Sequence, residues 1–441
     1  MIRETIFLSD VHLAGGLHND HLQNEALAAF LEQLGQDAAG EQTQLVLLGD
    51  VFDILAARAH LDAPFCGILD EVSALMALDI ILTRHSRVLC ALSQLMTSGV
   101  PIHIVLGNHD IDLVRPAVQE RLFQRLGSLS DGARPVGRLV VHPWVYWRPG
   151  LVYAEHGHQH HDINSYASPL HPFRGQSDRL DASPAAWRDL RLSRVRRELL
   201  TLQSIWRRLG NQEQSLAELG SMSMSRSMSM SIPQPTSSVT TSNRSKSSTP
   251  YQVAPCEEAL PAEVLRELAN QTAKPNWATV RRIVSGMAST KKHQETNSGS
   301  YLLDAATQVN GALHRFDCAV PLYVFGHNHI GEVRSSPGRP VYANTGTWSA
   351  YLPRPFEDIQ DGRRCTFIRL TERLSEGVAE VNLCRWDPAT STSEIVGPTT
   401  IVLTGIKTAA TYPREFRAPG SLGVSNTTTG ASLSDRATVR H

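Results

Sequence analysis

Three things are scarce in this chain, and each scarcity closes off a class of protein. The first is cysteine. Six are spread over 441 residues (Cys66, Cys90, Cys256, Cys318, Cys365 and Cys384), without a CxxC pair or a close-spaced framework. That spacing excludes a disulfide-built fold and fits a reducing compartment. The second is excess charge of one sign: 42 Lys and Arg stand against 43 Asp and Glu, so the overall balance argues against a nucleic-acid polyanion as the main partner. The third is long apolar runs. None reaches the length of a membrane span, and the first strand, "ETIFLSD", begins without room for a charged and then apolar leader, so a soluble, cytoplasmic protein is expected. Histidine, by contrast, is plentiful, with 18 in the chain.

Short apolar runs, "TIFLS", "QLVLL", "IHIVL", "RLVV" and "LVYA", read as strands buried on at least one face. Between the first two, Leu22, Ala26, Leu27, Phe30, Leu31 and Leu34 recur at helical spacing. A longer helical stretch from about Leu69 to Met96 precedes the third strand, giving an α/β plan. From about residue 175 to 309 the pattern breaks into two helical pieces around a Ser- and Met-rich tract, 221–250, expected to be disordered. Strands resume at "LYVF", "PVYAN", "RCTFIRL" and "AEVNLCRW", and a Gly-, Ser- and Thr-rich tail closes the chain. The expected organisation is one α/β domain in two parts, 1–174 and 310–404, interrupted by an insertion at 175–309 and followed by a disordered tail at 405–441.

The polar residues gather where strands end. "IFLSDVH" ends in Asp10 and His12, "LVLLGDVFD" in Asp50 and Asp53, "IVLGNHD" in Asn108, His109 and Asp110, "VYAEHGH" in His156 and His158, and "LYVFGHNHI" in His327 and His329. Sites in open α/β sheets form beyond the carboxyl ends of strands, so five such endings can converge although hundreds of residues separate them. In an extended segment His327 and His329, two apart, point to one face. Taken singly, the glycines could be turn residues, Asp10 and Asp50 helix caps, and Asn108 a turn residue with positive φ. Taken jointly, the bland readings need five unrelated accidents. Carboxylates and an amide mixed with imidazoles suit Mn²⁺, Fe²⁺ or Zn²⁺ better than a thiolate zinc site or a calcium cage.

In this order, "SDVH", "GDVFD", "GNHD", "HGH" and "GHNH" resemble the signature of the calcineurin-like metallophosphoesterases, over about residues 1–170 and 310–390. The resemblance implies a four-layer α/β/β/α sandwich and a dinuclear centre hydrolysing phosphate esters with a metal-bridging hydroxide. Asp10, His12 and His329 would hold one metal, Asn108, His156 and His327 the other, with Asp50 bridging and His158 the competing candidate in "HGH". His109 would protonate the leaving group and Asp53 would orient it, with Asp110 as alternative partner or helix cap. Mn²⁺ is the first expectation for the metals.

One subfamily resemblance is to the bacterial UDP-diacylglucosamine pyrophosphohydrolases, which share the DxH start, the "HG" histidine and a helical insertion before the last motif, but those usually carry Arg where this chain has His109 and Glu where it has Asp53. Pyrophosphohydrolysis of a UDP-sugar or lipid precursor is therefore the alternative to simple ester hydrolysis, and a non-catalytic metal-binding scaffold the alternative of another class. The expected partner is a phosphorylated small molecule or lipid-linked substrate. His158, His160, His161 and Asn164 either line the pocket or sit in a solvated loop. In the insertion, 184–210 forms a basic amphipathic pattern with seven arginines, including Arg191 and Arg194, and with Trp187, Leu199, Ile205 and Trp206 on its apolar side. It reads as a cap over the cleft or as a patch for anionic lipid.

Overall fold

The computed structural model describes residues 2–14, 20–38, 42–58, 61, 69–129, 137–174, 177–181, 183–186, 259–278, 300–349 and 364–402. These fall within one compact unit, Met1–Ile406. Most of the basic 184–210 segment, the 221–250 tract and the 405–441 tail lie outside the described residues.

Seven strands form the first sheet, in the order β12-β11-β10-β1-β2-β3-β4: β1 Ile2–Leu8, β2 Thr43–Leu48, β3 Ile102–Val105, β4 Leu139–His142, β10 Thr366–Arg373, β11 Val378–Asp387 and β12 Thr392–Val402. β1 to β4 run parallel, and β10 to β12 add to β1 antiparallel. The second sheet has the order β5-β6-β7-β9-β8: β5 Val145–Arg148, β6 Val152–Glu155, β7 Leu322–Phe325, β8 Glu332–Arg334 and β9 Val341–Asn344. Its central three strands are parallel.

Alternation along each strand builds the layers, because successive side chains leave opposite faces of a sheet. Ile6, Leu8, Leu45 and Leu47 pack outward against α1 Asp20–Asp37, α3 Glu71–Arg84, α4 Ser86–Thr97 and α5 Pro116–Ser128, while Phe7, Val46 and Leu48 face the second sheet. On that sheet Val152, Ala154, Leu322 and Val324 turn inward. Tyr153, Tyr323 and Phe325 turn out, under α6 Ala262–Gln271 and α7 Ser300–Arg315; α2, Ile54–Arg58, is a single short turn beside the site. The result is helices, sheet, sheet, helices, the four-layer α/β/β/α sandwich expected. Among the described residues no helix is long and apolar enough to cross a membrane.

Several details depart from the sequence reading. The 69–96 stretch is two helices, broken at His85. β5, β8 and β12 were not anticipated; β5 and β8 are four and three residues long, and β12 is an exposed edge whose outward residues carry no alternation to read. The boundary expected at 309/310 falls inside α7, whose Leu302, Ala306 and Val309 pack in the same apolar layer as Tyr323.

Candidate metal centre

The ligand candidates occupy the carboxyl ends of five parallel strands: β1, β2 and β3 of the first sheet and β6 and β7 of the second. The strands stop one to four residues before them. β7 ends at Phe325, and both His327 and His329 have positive φ, 70° and 62°. The expectation that these two share one face of an extended segment is therefore corrected. A left-handed turn at each residue sends His329 to Asp10, Nε2 to Oδ1 at 3.2 Å, and His327 to His156, Nδ1 to Nε2 at 3.2 Å. Asp10, His12 and Asp50 share this conformation, so five of the eight non-glycine residues with positive φ among the described residues are ligand candidates. Each costs about 1–2 kcal/mol for an L-residue, strain that persists where packing over-determines the backbone and that clusters at functional sites.

Two glycines bring the backbone close. A Cβ at Gly107 would lie 2.2 Å from Asp50 Oδ1, and one at Gly49, φ +83°, would lie 2.6 Å from the His156 ring. The His109 amide, two residues past Gly107, donates to Asp50 Oδ1 at 2.9 Å. Asn108, between these two contacts, is held from behind by the Tyr166 hydroxyl, which donates to its carbonyl at 3.0 Å.

Asp10, His12 and His329 converge as one group, Asp50, His156 and His327 as a second, and His12, Asp50 and His109 as a third that joins them. Asp50 Oδ2 is 3.2 Å from His156 Nε2 and 3.8 Å from His12 Nε2. His156 donates through Nδ1 to the Leu48 carbonyl at 2.9 Å, which directs Nε2 inward. Asp10 and Asp50 are buried, and among the described residues histidines are their only ion-pair partners. Burial alone would raise the Asp50 carboxyl; His156, His109 and His12 override it and hold the group well below the usual carboxylate range. Burial likewise raises Asp10 while His329 and His156 bring it down. His156 answers in kind: burial would lower it, but Asp50 and Asp10 push it up to about 9. Two buried carboxylates thus draw positive charge to one spot.

Whether the donors suit cations is tested by their unused capacity. Asp10 Oδ1, His12 Nε2, Asn108 Oδ1 and His329 Nδ1 are buried and make no hydrogen bond. Polar atoms left so normally cost about 1–3 kcal/mol apiece. Oxygen and imidazole donors, without a thiolate, fit a pair of divalent metals.

His109 Nδ1 lies 2.8 Å from Asp53 Oδ1, and His12 Nδ1 lies 3.3 Å from Asp53 Oδ2, so one carboxylate serves both rings. Burial opposes the charge on Asp53, and His109 and His12 more than restore it. Asp110 is not the His109 partner: its carboxylate accepts from the Val51 and Gly107 amides, and although it stands at the N-cap position of the 3-10 turn that follows, Ile111–Val114, its side chain makes no cap bond there. Burial, then Asp50, raises it to about 6.

The loop after His156 is folded inward, not solvated. His158 is buried and bonds Gln159, His160 bonds the buried Glu155 at 2.7 Å, and Asn164 lies 3.1 Å from His327 Nε2. His158 therefore stands behind His156, their rings 5.5 Å apart. The sequence reading missed Ser9, Thr345 and Thr347. Ser9 donates to Asp10 Oδ2 and contacts Thr345, and Thr347 donates to the Asp10 carbonyl. In the sequence, Ser9 stands inside "SDVH", and only the small hydroxyls just past "PVYAN" hint at Thr345 and Thr347.

The family model described as calcineurin-like phosphoesterase matches residues 4–212. No curated protein matches the chain. Among solved structures, the chain is similar to a dimetal phosphatase from Danio rerio, at 13% identity over 91% of this chain and 99% of that one, TM-score 0.36. It is also similar to a phosphopantetheinyl hydrolase from Mycobacterium tuberculosis, at 11% identity over 80% and 97%, TM-score 0.22.

Proposed function

We propose, for a chain that belongs to the calcineurin-like phosphoesterases, that phosphate monoesters or diesters are hydrolysed where these five strand ends meet. Two divalent cations there, Mn²⁺ first, would neutralise phosphoryl oxygens and lower the pKa of an attacking water. Asp10, His12 and His329 would hold one cation, Asn108, His156 and His327 the other, with Asp50 available to both. His109 gives a proton to the leaving oxygen, and Asp53 orients its ring and supplies the compensating charge. The observation that carries this reading is that Asp10 Oδ1, His12 Nε2 and Asn108 Oδ1 are buried without a hydrogen bond where the candidate groups converge on Asp50.

The His109 and Asp53 contact favours simple esters over the UDP-sugar or lipid-precursor pyrophosphate reading, whose enzymes usually carry Arg and Glu there. Phosphorylated small molecules in the cytoplasm are the substrates this reading takes first. On the returning side of the insertion, the Ala273 amide donates to the Gln159 carbonyl at 2.9 Å and the Asn276 amide to the Asp162 carbonyl at 2.8 Å, which ties that segment to the turn that follows His156. The test is metal analysis combined with hydrolysis of a chromogenic phosphomonoester and phosphodiester in Mn²⁺. Bound metal and turnover of at least one are expected; no turnover of either, with no metal bound, would leave a scaffold.

A further inference from the structure

The half of the centre around His156 sets a condition on one proton. His327 Nδ1 is 3.2 Å from His156 Nε2, which is 3.2 Å from Asp50 Oδ2, so Nδ1 is the atom His327 turns toward the converging group. To bind a cation it needs a lone pair there. A neutral imidazole carries a single N–H, so the proton then sits on Nε2 and needs an acceptor.

The polar side-chain neighbours of Nε2 are the Asn164 amide nitrogen at 3.1 Å and His161 Nδ1 at 3.5 Å. The same amide nitrogen is 2.7 Å from His161 Nδ1. A half-turn of the amide exchanges its nitrogen and oxygen in place, and the oxygen has two lone pairs.

Resting on the dinuclear reading above, we propose that Asn164 is a positioning residue for the metal centre. Its amide oxygen accepts Nε2–H of His327 and Nδ1–H of His161, which holds His327 in the tautomer that presents Nδ1 to a cation. The support is built in from two sides. The Asn164 backbone N–H donates to the His161 backbone carbonyl at 3.0 Å, which closes the turn. The His161 ring lies 5.6 Å from that of Tyr301 at the start of α7, so the helix that returns from the insertion backs the pair. Partners that fix the orientation and tautomer of a metal-binding histidine are worth about 10–100-fold in affinity.

Mn²⁺ titration of metal-free protein by calorimetry, with ¹⁵N NMR of the imidazoles, tests this. Asn164→Leu removes the acceptor at similar volume, and Asn164→Asp keeps one. The Leu variant should lose about 10–100-fold in affinity at one site only, with Nδ1–H appearing at His327. The Asp variant should bind at least as tightly as wild type, with the Nε2–H tautomer kept. A Leu variant with both affinities unchanged, or an Asp variant as weak as Leu, overturns the assignment while the dinuclear reading stands. Wild-type protein that takes up no Mn²⁺ overturns both.

Discussion

The two halves of the metal centre differ less in donor type than in enclosure. Around Asp10, the imidazoles of His12 and His329 keep about a seventh of their surface, each 15% exposed, and His109, 30% exposed, stands edge-on to His12 at 4.8 Å. Around Asp50, His156 is wholly buried and packed among His158, His327 and the His161 to Asn164 turn. The more open half includes His109, the proton donor of the proposed reaction; the closed half is backed by the turn that carries His161 and Asn164. An enzyme of this plan places its electrostatics in a rigid, dry interior and its proton transfer at the mouth.

The sharpest way to break that comparison is at the residue the halves share. Asp50→Asn should abolish turnover and weaken metal at both halves, as read by metal analysis; full occupancy with full activity would remove Asp50 from the bridge. Next, His109→Ala should keep both metals yet lower kcat by about 10²–10⁴-fold. The loss should be smallest for leaving groups that need no proton, and equal loss across leaving groups would count against the acid role. Asp53→Asn should act on the open half alone. It should lower affinity at the His12 site by about 10-fold and flatten the pH-rate limb assigned to His109, with the closed half unchanged in titration.

The smallest effect concerns imidazoles on which burial is the largest influence. His103 and His142, 3.0 Å apart between β3 and β4, are driven down by burial, to about 3 and about 4, with His142 adding to the shift on His103. Burial pulls His156 the same way, yet its carboxylates carry it up to about 9. A folded pKa below the unfolded value of about 6.5 means the unfolded chain binds the proton first. The stability contribution is thus present above about 6.5 and lost as pH falls toward 4. His142→Gln should flatten that decline in thermal melts from pH 7 to 4; an unchanged slope would show the pair to be silent.

How much of this was legible follows from range. Strands such as "TIFLS" and "QLVLL" are readable because alternation and β-branching act locally, and "SDVH" or "GNHD" because a site at a strand end needs its polar residues in a row. The role of the 158–164 loop was not readable: its residues look solvated until α7, more than a hundred positions later, packs beside them. The same holds for Thr345 and Thr347, ordinary hydroxyls in sequence that reach Ser9 and the Asp10 carbonyl only because β9 lies next to β7 and their loop closes on that of β1.

By itself, then, the sequence determined the donor set and the order of strands that carry it, since those depend on residue type and local period. Tertiary structure decided the direction of each ligand. In an extended chain His327 and His329 would share a face; left-handed turns, tolerated because Asp10 Oδ2 accepts the His327 amide at 2.9 Å, send them to opposite halves of the centre, and no local rule contains that bond across 317 residues.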